Sequence, residues 1–87
     1  MSKFELGRVV ATPGALALDG GFVVGCLERH VQGDWGEVDA EDQATNDRAL
    51  TDGDRLLSAY TDGEGRTLWV ITEWDRSATT CLLPSEY

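Results

Sequence analysis

Carboxylates are the side chains of this sequence whose number and spacing could do chemistry. Eight of the sixteen acids lie between Asp34 and Asp54, where Arg48 is the only base. Paired carboxylates can act as general acid and base, but one of them then needs burial or a facing carboxylate to raise its pKa. Neighbours such as Glu41 and Asp42 point in different directions on a helix. The spacing therefore favours a charged surface over catalysis, and no catalytic residue is predicted.

A charged surface of this kind could meet a cationic partner. Residues three or four apart on a helix have Cβ atoms about 5 to 6 Å apart, so a helical ladder of carboxylates would have a spacing comparable to that of backbone phosphates. The competing interpretation is a solvated helix whose acidic first turn suits the helix dipole and favours solubility. The residues predicted to contact a partner are Asp34, Trp35, Glu37, Asp39, Glu41, Asp42, Asp47 and Trp69.

His30 is the single histidine and the natural candidate for a base. It shares a helical stripe with Phe22 and Cys26, which predicts a partly buried ring bonded to a backbone carbonyl or to a carboxylate such as Asp34. A dyad of Cys26 and His30 would have no third group to orient it. Cys26 and Cys81 are expected to pack as small apolar side chains. No metal-ligand spacing exists, so the sequence predicts neither a metal nor a cofactor.

The three tryptophans allow different roles. Trp35 is interpreted as a loop anchor whose ring fills the core, and the alternative is an exposed aromatic contact ringed by acids. Trp69 and Trp74 fall on opposite faces of one predicted strand, so they cannot both lie in the same core. At least one of these two is expected to be available to a partner.

Composition restricts the class of partner. The formal net charge of −9 argues against direct binding to nucleic acid or to an anionic membrane, because both require Lys and Arg. The longest apolar runs are far shorter than the roughly 20 residues that span a bilayer, and the N-terminal MSKFELG lacks a secretory apolar segment. We expect one domain over residues 1–87, located in the cytoplasm, with a basic partner.

A short strand followed by helices is predicted for the first half of the chain. Arg8 to Ala11 predicts a strand at a sheet edge, and Thr12 with a following proline predicts the start of a short helix that ends near Leu18. The apolar spacing from Phe22 to Val31 predicts a second helix. The alternative there is a β-hairpin in which ALAL and FVVG are joined by an Asp-Gly-Gly turn.

The second half predicts one more helix and then strands. Asp39 is the expected N-cap of a helix to about Leu50, and Gly53 is its expected end. Together these signals predict an α+β domain with an antiparallel sheet of three or four strands, including a C-terminal β-meander, packed against two N-terminal helices. The predicted strands of the meander are Leu56 to Thr61, Thr67 to Trp74 and Ala78 to Leu83.

The segments LGRVVATPGAL, RHVQGDWGEVDAED and LLSAYTDGEGRTLWVITEWDRSATTCLLPSEY resemble a family of small bacterial proteins of plasmids and integrative mobile elements, known only as plasmid-related proteins. The resemblance covers nearly the whole chain. It implies a mobile-element setting and no established activity, so it assigns no catalytic residue. The segment from Leu18 to Cys26 is shorter and richer in glycine than the family pattern.

Three functional hypotheses follow. The leading one is a non-enzymatic acidic protein-interaction module, a nucleic-acid mimic that inhibits a host CRISPR or restriction system by occupying a basic groove. The alternative is a small homodimeric regulatory or assembly protein that associates through Trp69, Ile71 and the sheet edge. The third is a small hydrolase that uses His30 with Asp34 or Cys26.

Overall fold

The computed structural model of the chain describes residues 2–87. It confirms the α+β class, with three α-helices and a four-stranded sheet. The elements in chain order are β1 (Arg8–Ala11), α1 (Pro13–Leu16), α2 (Gly20–Val31), α3 (Ala40–Asp52), β2 (Leu56–Thr61), β3 (Thr67–Thr72), β4 (Ala78–Leu82) and a final 3₁₀ turn (Pro84–Glu86).

The sheet has the strand order β1-β4-β3-β2, and it is mixed. β2, β3 and β4 form the predicted antiparallel meander, with Trp69 opposite both Ala59 and Leu82. β1 lies at an edge as predicted, but it pairs with β4 in parallel, which corrects the expectation of a wholly antiparallel sheet. The direction in which a four-residue strand pairs depends on how the intervening chain crosses over, and its residue types do not encode it.

The helical interpretation of residues 20–31 is confirmed, and the β-hairpin alternative is wrong. The carboxylate of Asp19 accepts a hydrogen bond from the N–H of Phe22 at 3.1 Å and caps α2. Glycines in the first turn weaken a helix by up to about 1 kcal/mol each. Burial of Cys26 and His30 against the sheet offsets that cost, because tertiary packing supplies most of the stability of a short helix.

α3 begins and ends where its capping residues predict. Asp39 accepts a hydrogen bond from the N–H of Asp42 at 2.8 Å, and Gly53 follows the last helical residue. Residues 2–87 contain three helices, one more than the two that were predicted to pack on the sheet. The short helix predicted after Thr12 is the additional one, α1, and it ends at Leu16 rather than near Leu18. β3 ends at Thr72, so Trp74 lies in the following turn with 65% of its surface exposed.

The helices cover one face of the sheet. Alternate strand residues on that face, among them Tyr60, Val70 and Cys81, form a core with α1 and α2. A second cluster joins Trp35 and Leu56 to α3. Both cysteines are buried and free, which confirms the expected packing role. Between residues 2 and 87, no helix has the length and apolar character needed to cross a bilayer.

Candidate acidic interaction surface

The acidic residues 34–54, here called the acidic segment, lie against β2. β2 is an outer strand, and its free side would otherwise expose unpaired backbone groups. The N–H of Glu37 donates to the carbonyl of Ala59 at 2.7 Å, and the N–H of Ala59 donates to the carbonyl of Trp35 at 3.2 Å. Residues 35–37 therefore act as a short parallel extension of the sheet.

Side chains complete the cover of β2 on either side of this bridge. The amide of Asn46 on α3 hydrogen-bonds both the carbonyl and the N–H of Leu57, at 2.8 and 3.2 Å. The carboxylate of Glu37 accepts hydrogen bonds from the N–H and the hydroxyl of Thr61, at 2.8 and 3.0 Å. Glu37 is thus a structural residue as well as an exposed charge.

Trp35 anchors the loop. Its ring is 4% exposed, stacks on Phe4 and donates its indole N–H to the carboxylate of Asp47 at 2.9 Å. The turn after it requires Gly36, whose φ is +74° and whose missing Cβ leaves space for the Ala59 carbonyl. The anchor interpretation of Trp35 is therefore confirmed, and its buried ring is not an exposed contact for a partner.

Asp34 is held in an ion pair. Its carboxylate accepts two hydrogen bonds from the guanidinium of Arg29, at 2.7 and 3.2 Å, and one from the N–H of Gly36. The hydrogen bond from Arg29 lowers the pKa of Asp34. Asp34 is the only residue of the acidic segment that forms a salt bridge within residues 2–87.

The predicted helical ladder of carboxylates does not form. α3 contains four acids, Glu41, Asp42, Asp47 and Asp52, and no two of them are three or four residues apart. Asp47 is turned towards Trp35, whereas Asp42 lines a groove on the other flank of the helix. The acids therefore lie on different flanks of α3 and in the loop before it instead of forming a single row.

This groove brings together two of the predicted contact residues, Asp42 and Trp69. It lies between α3 and the sheet face that the helices leave uncovered, has a volume of about 320 Å³ and has a mainly apolar lining. The ring of Tyr87 meets that of Trp69 edge to face, with 5.6 Å between the ring centroids. The hydroxyl of Tyr87 accepts a hydrogen bond from the guanidinium of Arg55 at 3.0 Å. Ile71 also lines the groove, but it is only 4% exposed, so it is not free to contact a partner as predicted.

His30 belongs to a buried chain of hydroxyl groups that the sequence interpretation missed. The hydroxyl of Thr79 donates to the carbonyl of Leu6, so it must accept from the hydroxyl of Thr72, each at 2.7 Å. Thr72 in turn accepts from Nε2–H of His30 at 2.9 Å. Nδ1 of His30 then accepts from the hydroxyl of Ser58 at 2.5 Å. These partners correct the expected bond to a backbone carbonyl or to Asp34.

Burial determines the chemistry of His30 and Cys26. Loss of solvent, together with the smaller effect of the charge of Arg76, lowers the pKa of His30 to about 4. Burial raises the pKa of the Cys26 thiol to about 11. A neutral ring that is fully buried and a protonated thiol act as structural groups in this conformation.

The described residues contain no group of three or more His, Cys, Asp or Glu side chains that could hold a metal ion. The sequence did carry a signal for the polar network around His30, because Ser58, Thr72 and Thr79 occupy inward positions of apolar strands.

Comparison of the chain with protein-family models, curated proteins and solved structures finds no match. The functional argument therefore depends on the geometry and charge of this chain.

Proposed function

We propose that the protein is a non-enzymatic interaction module whose acidic segment docks onto a basic surface of a nucleic-acid-handling protein. One observation carries the proposal: the acidic segment covers the free edge of β2, and all eight of its acids are exposed. Arg48 is the only base within the segment, and Arg29 and Arg76 contact it from other elements, so the segment keeps an excess of negative charge. Such an asymmetric field raises the association rate with a cationic partner.

Three of these acids also hold the local structure. Glu37, Asp39 and Asp47 accept hydrogen bonds from neutral N–H or O–H groups, so these bonds bring no cation to the carboxylates. Only Asp34 has its charge compensated by a nearby cation among residues 2–87. These hydrogen bonds also hold the three carboxylates in fixed positions, and rigid side chains lose less entropy on binding than mobile ones.

The groove between α3 and the sheet supplies an apolar contact next to the charges. Asp42 stands at its rim, and Trp69 and Tyr87 form part of its wall. Aromatic side chains contribute much of the energy in protein interfaces. Charge would therefore steer the partner, and the groove would hold an apolar or cationic side chain once the partner has arrived.

The class of partner follows from charge and from the expected setting. Proteins that bind nucleic acid carry grooves lined with Lys and Arg, and a compact acidic domain competes for them. The resemblance to proteins of mobile elements favours a host defence system, of CRISPR or restriction type, as the target. Because the acids form no regular ladder, we place the mimicry in the overall field rather than in a copy of phosphate spacing.

The test is capture of partners from a nuclease-treated bacterial lysate, followed by measurement with the purified partner. The wild type is compared with two triple variants that each remove three negative charges. The first changes acids of α3 that make no side-chain hydrogen bond within residues 2–87, so the fold is spared. The second changes acids outside the acidic segment. The substitutions are Glu41→Gln, Asp42→Asn and Asp52→Asn in the first variant, and Glu5→Gln, Glu28→Gln and Glu73→Gln in the control.

We expect the first variant to weaken binding at least tenfold and the control to weaken it far less. Double-stranded DNA should displace the protein from its partner, because both occupy the same basic groove. Equal effects of the two triple variants would contradict docking through the acidic segment. A captured partner that binds the protein and DNA at the same time would contradict the proposed mimicry.

A further inference from the structure

The free edges of the two outer strands, β1 and β2, differ in whether other parts of the chain cover them. β2 is covered along its free side by residues 35–37, Asn46 and Glu37. β1 has no such cover within residues 2–87. An open strand edge is a template for pairing with another chain, and proteins ordinarily cover or charge it. The bare edge of β1 is therefore a feature that the proposed function does not explain.

The register shows which groups of β1 are free. The N–H of Arg8 donates to Ser77, and the N–H of Thr12 donates to Cys81, both at 3.0 Å. In a parallel pair the residues that bond to the neighbour alternate. Val9 and Ala11 therefore direct their N–H and carbonyl groups away from β4, towards solvent.

Exposed apolar side chains surround these free groups. Val9 is 45% exposed, Val10 is 41% exposed, and Leu16 is 73% exposed on α1, which packs against β1 and β4. They are three of the six large apolar side chains that the described chain leaves exposed. This edge combines unpaired backbone groups with apolar surface, as a strand-pairing interface does.

The geometry points to a second copy of this chain as the partner, paired antiparallel through β1 to give a continuous eight-stranded sheet. Gly7, with φ +65° and no space for a Cβ, and Pro13 limit the strand at its two ends. A two-fold axis at Val10 keeps the pairing inside these limits. Val9 then exchanges both hydrogen bonds with Ala11 of the second copy, and the two Val10 residues face each other.

Charge favours this edge for self-association. The net charge of −9 makes two copies repel each other. β1 contains Arg8 and no acid, and it lies at the opposite end of the sheet from β2 and the acidic segment. Pairing through β1 thus places the two acidic sides at the far ends of the dimer and leaves both of them free.

Sedimentation over about 10 μM to 1 mM protein tests the dimer, since a short strand pair gives only modest affinity. High salt should strengthen the dimer by screening the like charges, whereas docking of a basic partner should weaken in high salt. The opposite salt responses separate this inference from the proposed function. A monomer at every concentration and salt level would overturn it.

Two pairs of variants locate the interface. Val10→Lys places like charges opposite each other and should weaken the dimer at least tenfold. Val24→Lys adds the same charge at a 56% exposed position on α2 and should have little effect. Equal weakening by the two variants would contradict pairing at β1.

A cysteine at the axis gives an independent readout. Facing residues of a non-hydrogen-bonded pair have Cα atoms about 4.5 Å apart, which suits a disulfide. Val10→Cys should cross-link into a covalent dimer when reductant is removed, whereas Val24→Cys should not. Cys26 and Cys81 are buried and do not compete. Cross-linking no faster at position 10 than at position 24 would refute the proposed axis.

Discussion

Acidification should destabilise the fold through His30 before most carboxylates titrate. The ring is fully buried, hydrogen-bonded at both nitrogens to neutral hydroxyls and in contact with Phe4 and Trp35. The positive charge of Arg76 also disfavours protonation. No carboxylate hydrogen-bonds the ring within residues 2–87, so the folded state has no means of stabilising an imidazolium there.

The sign and size of the effect follow from the two pKa values. Well above pH 6.5 the ring is neutral in the folded and the unfolded chain, so the free energy of unfolding does not depend on its titration. Below pH 6.5 the imidazole of His30 becomes protonated in the unfolded chain, whereas in the folded chain it stays neutral until the pH reaches about 4. The slope should approach about 1.4 kcal/mol per pH unit. The free energy of unfolding should therefore be lower by about 2 kcal/mol at pH 5 than at pH 8, and about 1.6 kcal/mol of that loss falls between pH 6.5 and pH 5. A domain of this size has roughly 4 to 13 kcal/mol in total.

Two measurements check this prediction. Urea unfolding followed by tryptophan fluorescence gives the free energy of unfolding at pH 5, 5.5, 6 and 6.5. Proton NMR of the imidazole gives the pKa directly, and the signal is unambiguous because the chain has one histidine. His30→Gln keeps a donor and an acceptor but cannot titrate, so its stability should be flat over the same range. A folded-state resonance that titrates near pH 6.5, or a wild-type stability that does not change, would refute the reasoning.

Three further changes probe other contacts. Glu37→Gln should cost about 1 kcal/mol, because it weakens the charged cap on β2. Glu64→Gln, in the exposed turn after β2, should cost less, and equal urea midpoints would contradict the structural role of Glu37. Gly36→Ala should destabilise the fold by at least about 2 kcal/mol, because a side chain there is strained at positive φ and its Cβ would overlap the carbonyl oxygen of Ala59. A melting temperature equal to that of the wild type would contradict this. Cys26 and Cys81 have pKa values raised to about 11 by burial, so at pH 8 Ellman's reagent should label them only after denaturation, and rapid labelling of the folded protein would disagree with their burial.

Local signals predicted the elements well. Capping residues identified the starts of α1 and α3, and an apolar segment that ends at the DGEGR turn identified β2 with both its ends. These features depend on contacts between residues that are close in the chain, which a single sequence displays.

Contacts between distant residues were the ones that the sequence did not predict. The parallel pairing of β1 joins Arg8 to Ala78 across almost the whole chain. The hydroxyl partners of His30 lie 28 and 42 residues away. Their inward positions on apolar strands mark these hydroxyl residues as buried, but no local pattern shows that they pair with His30.

The candidate surface was predicted in part. The clustering of eight acids within residues 34–54 was visible in the sequence, and the structure leaves all eight exposed. The sequence did not predict the hydrogen bonds that the individual acids make, because each depends on a tertiary partner. These partners are Trp35 for Asp47, Thr61 for Glu37 and Arg29 for Asp34. The shared groove of Asp42 and Trp69 required the packing of α3 beside the sheet.

The salt dependence of binding to the captured partner tests the central claim most directly. The dissociation constant is measured between about 50 and 400 mM salt for the wild type and for the variant that combines Glu41→Gln, Asp42→Asn and Asp52→Asn. Docking of a negative side onto a cationic surface predicts steep weakening with salt for the wild type and a shallower slope for the variant. Tight binding that changes with neither salt nor these three charges would contradict the claim.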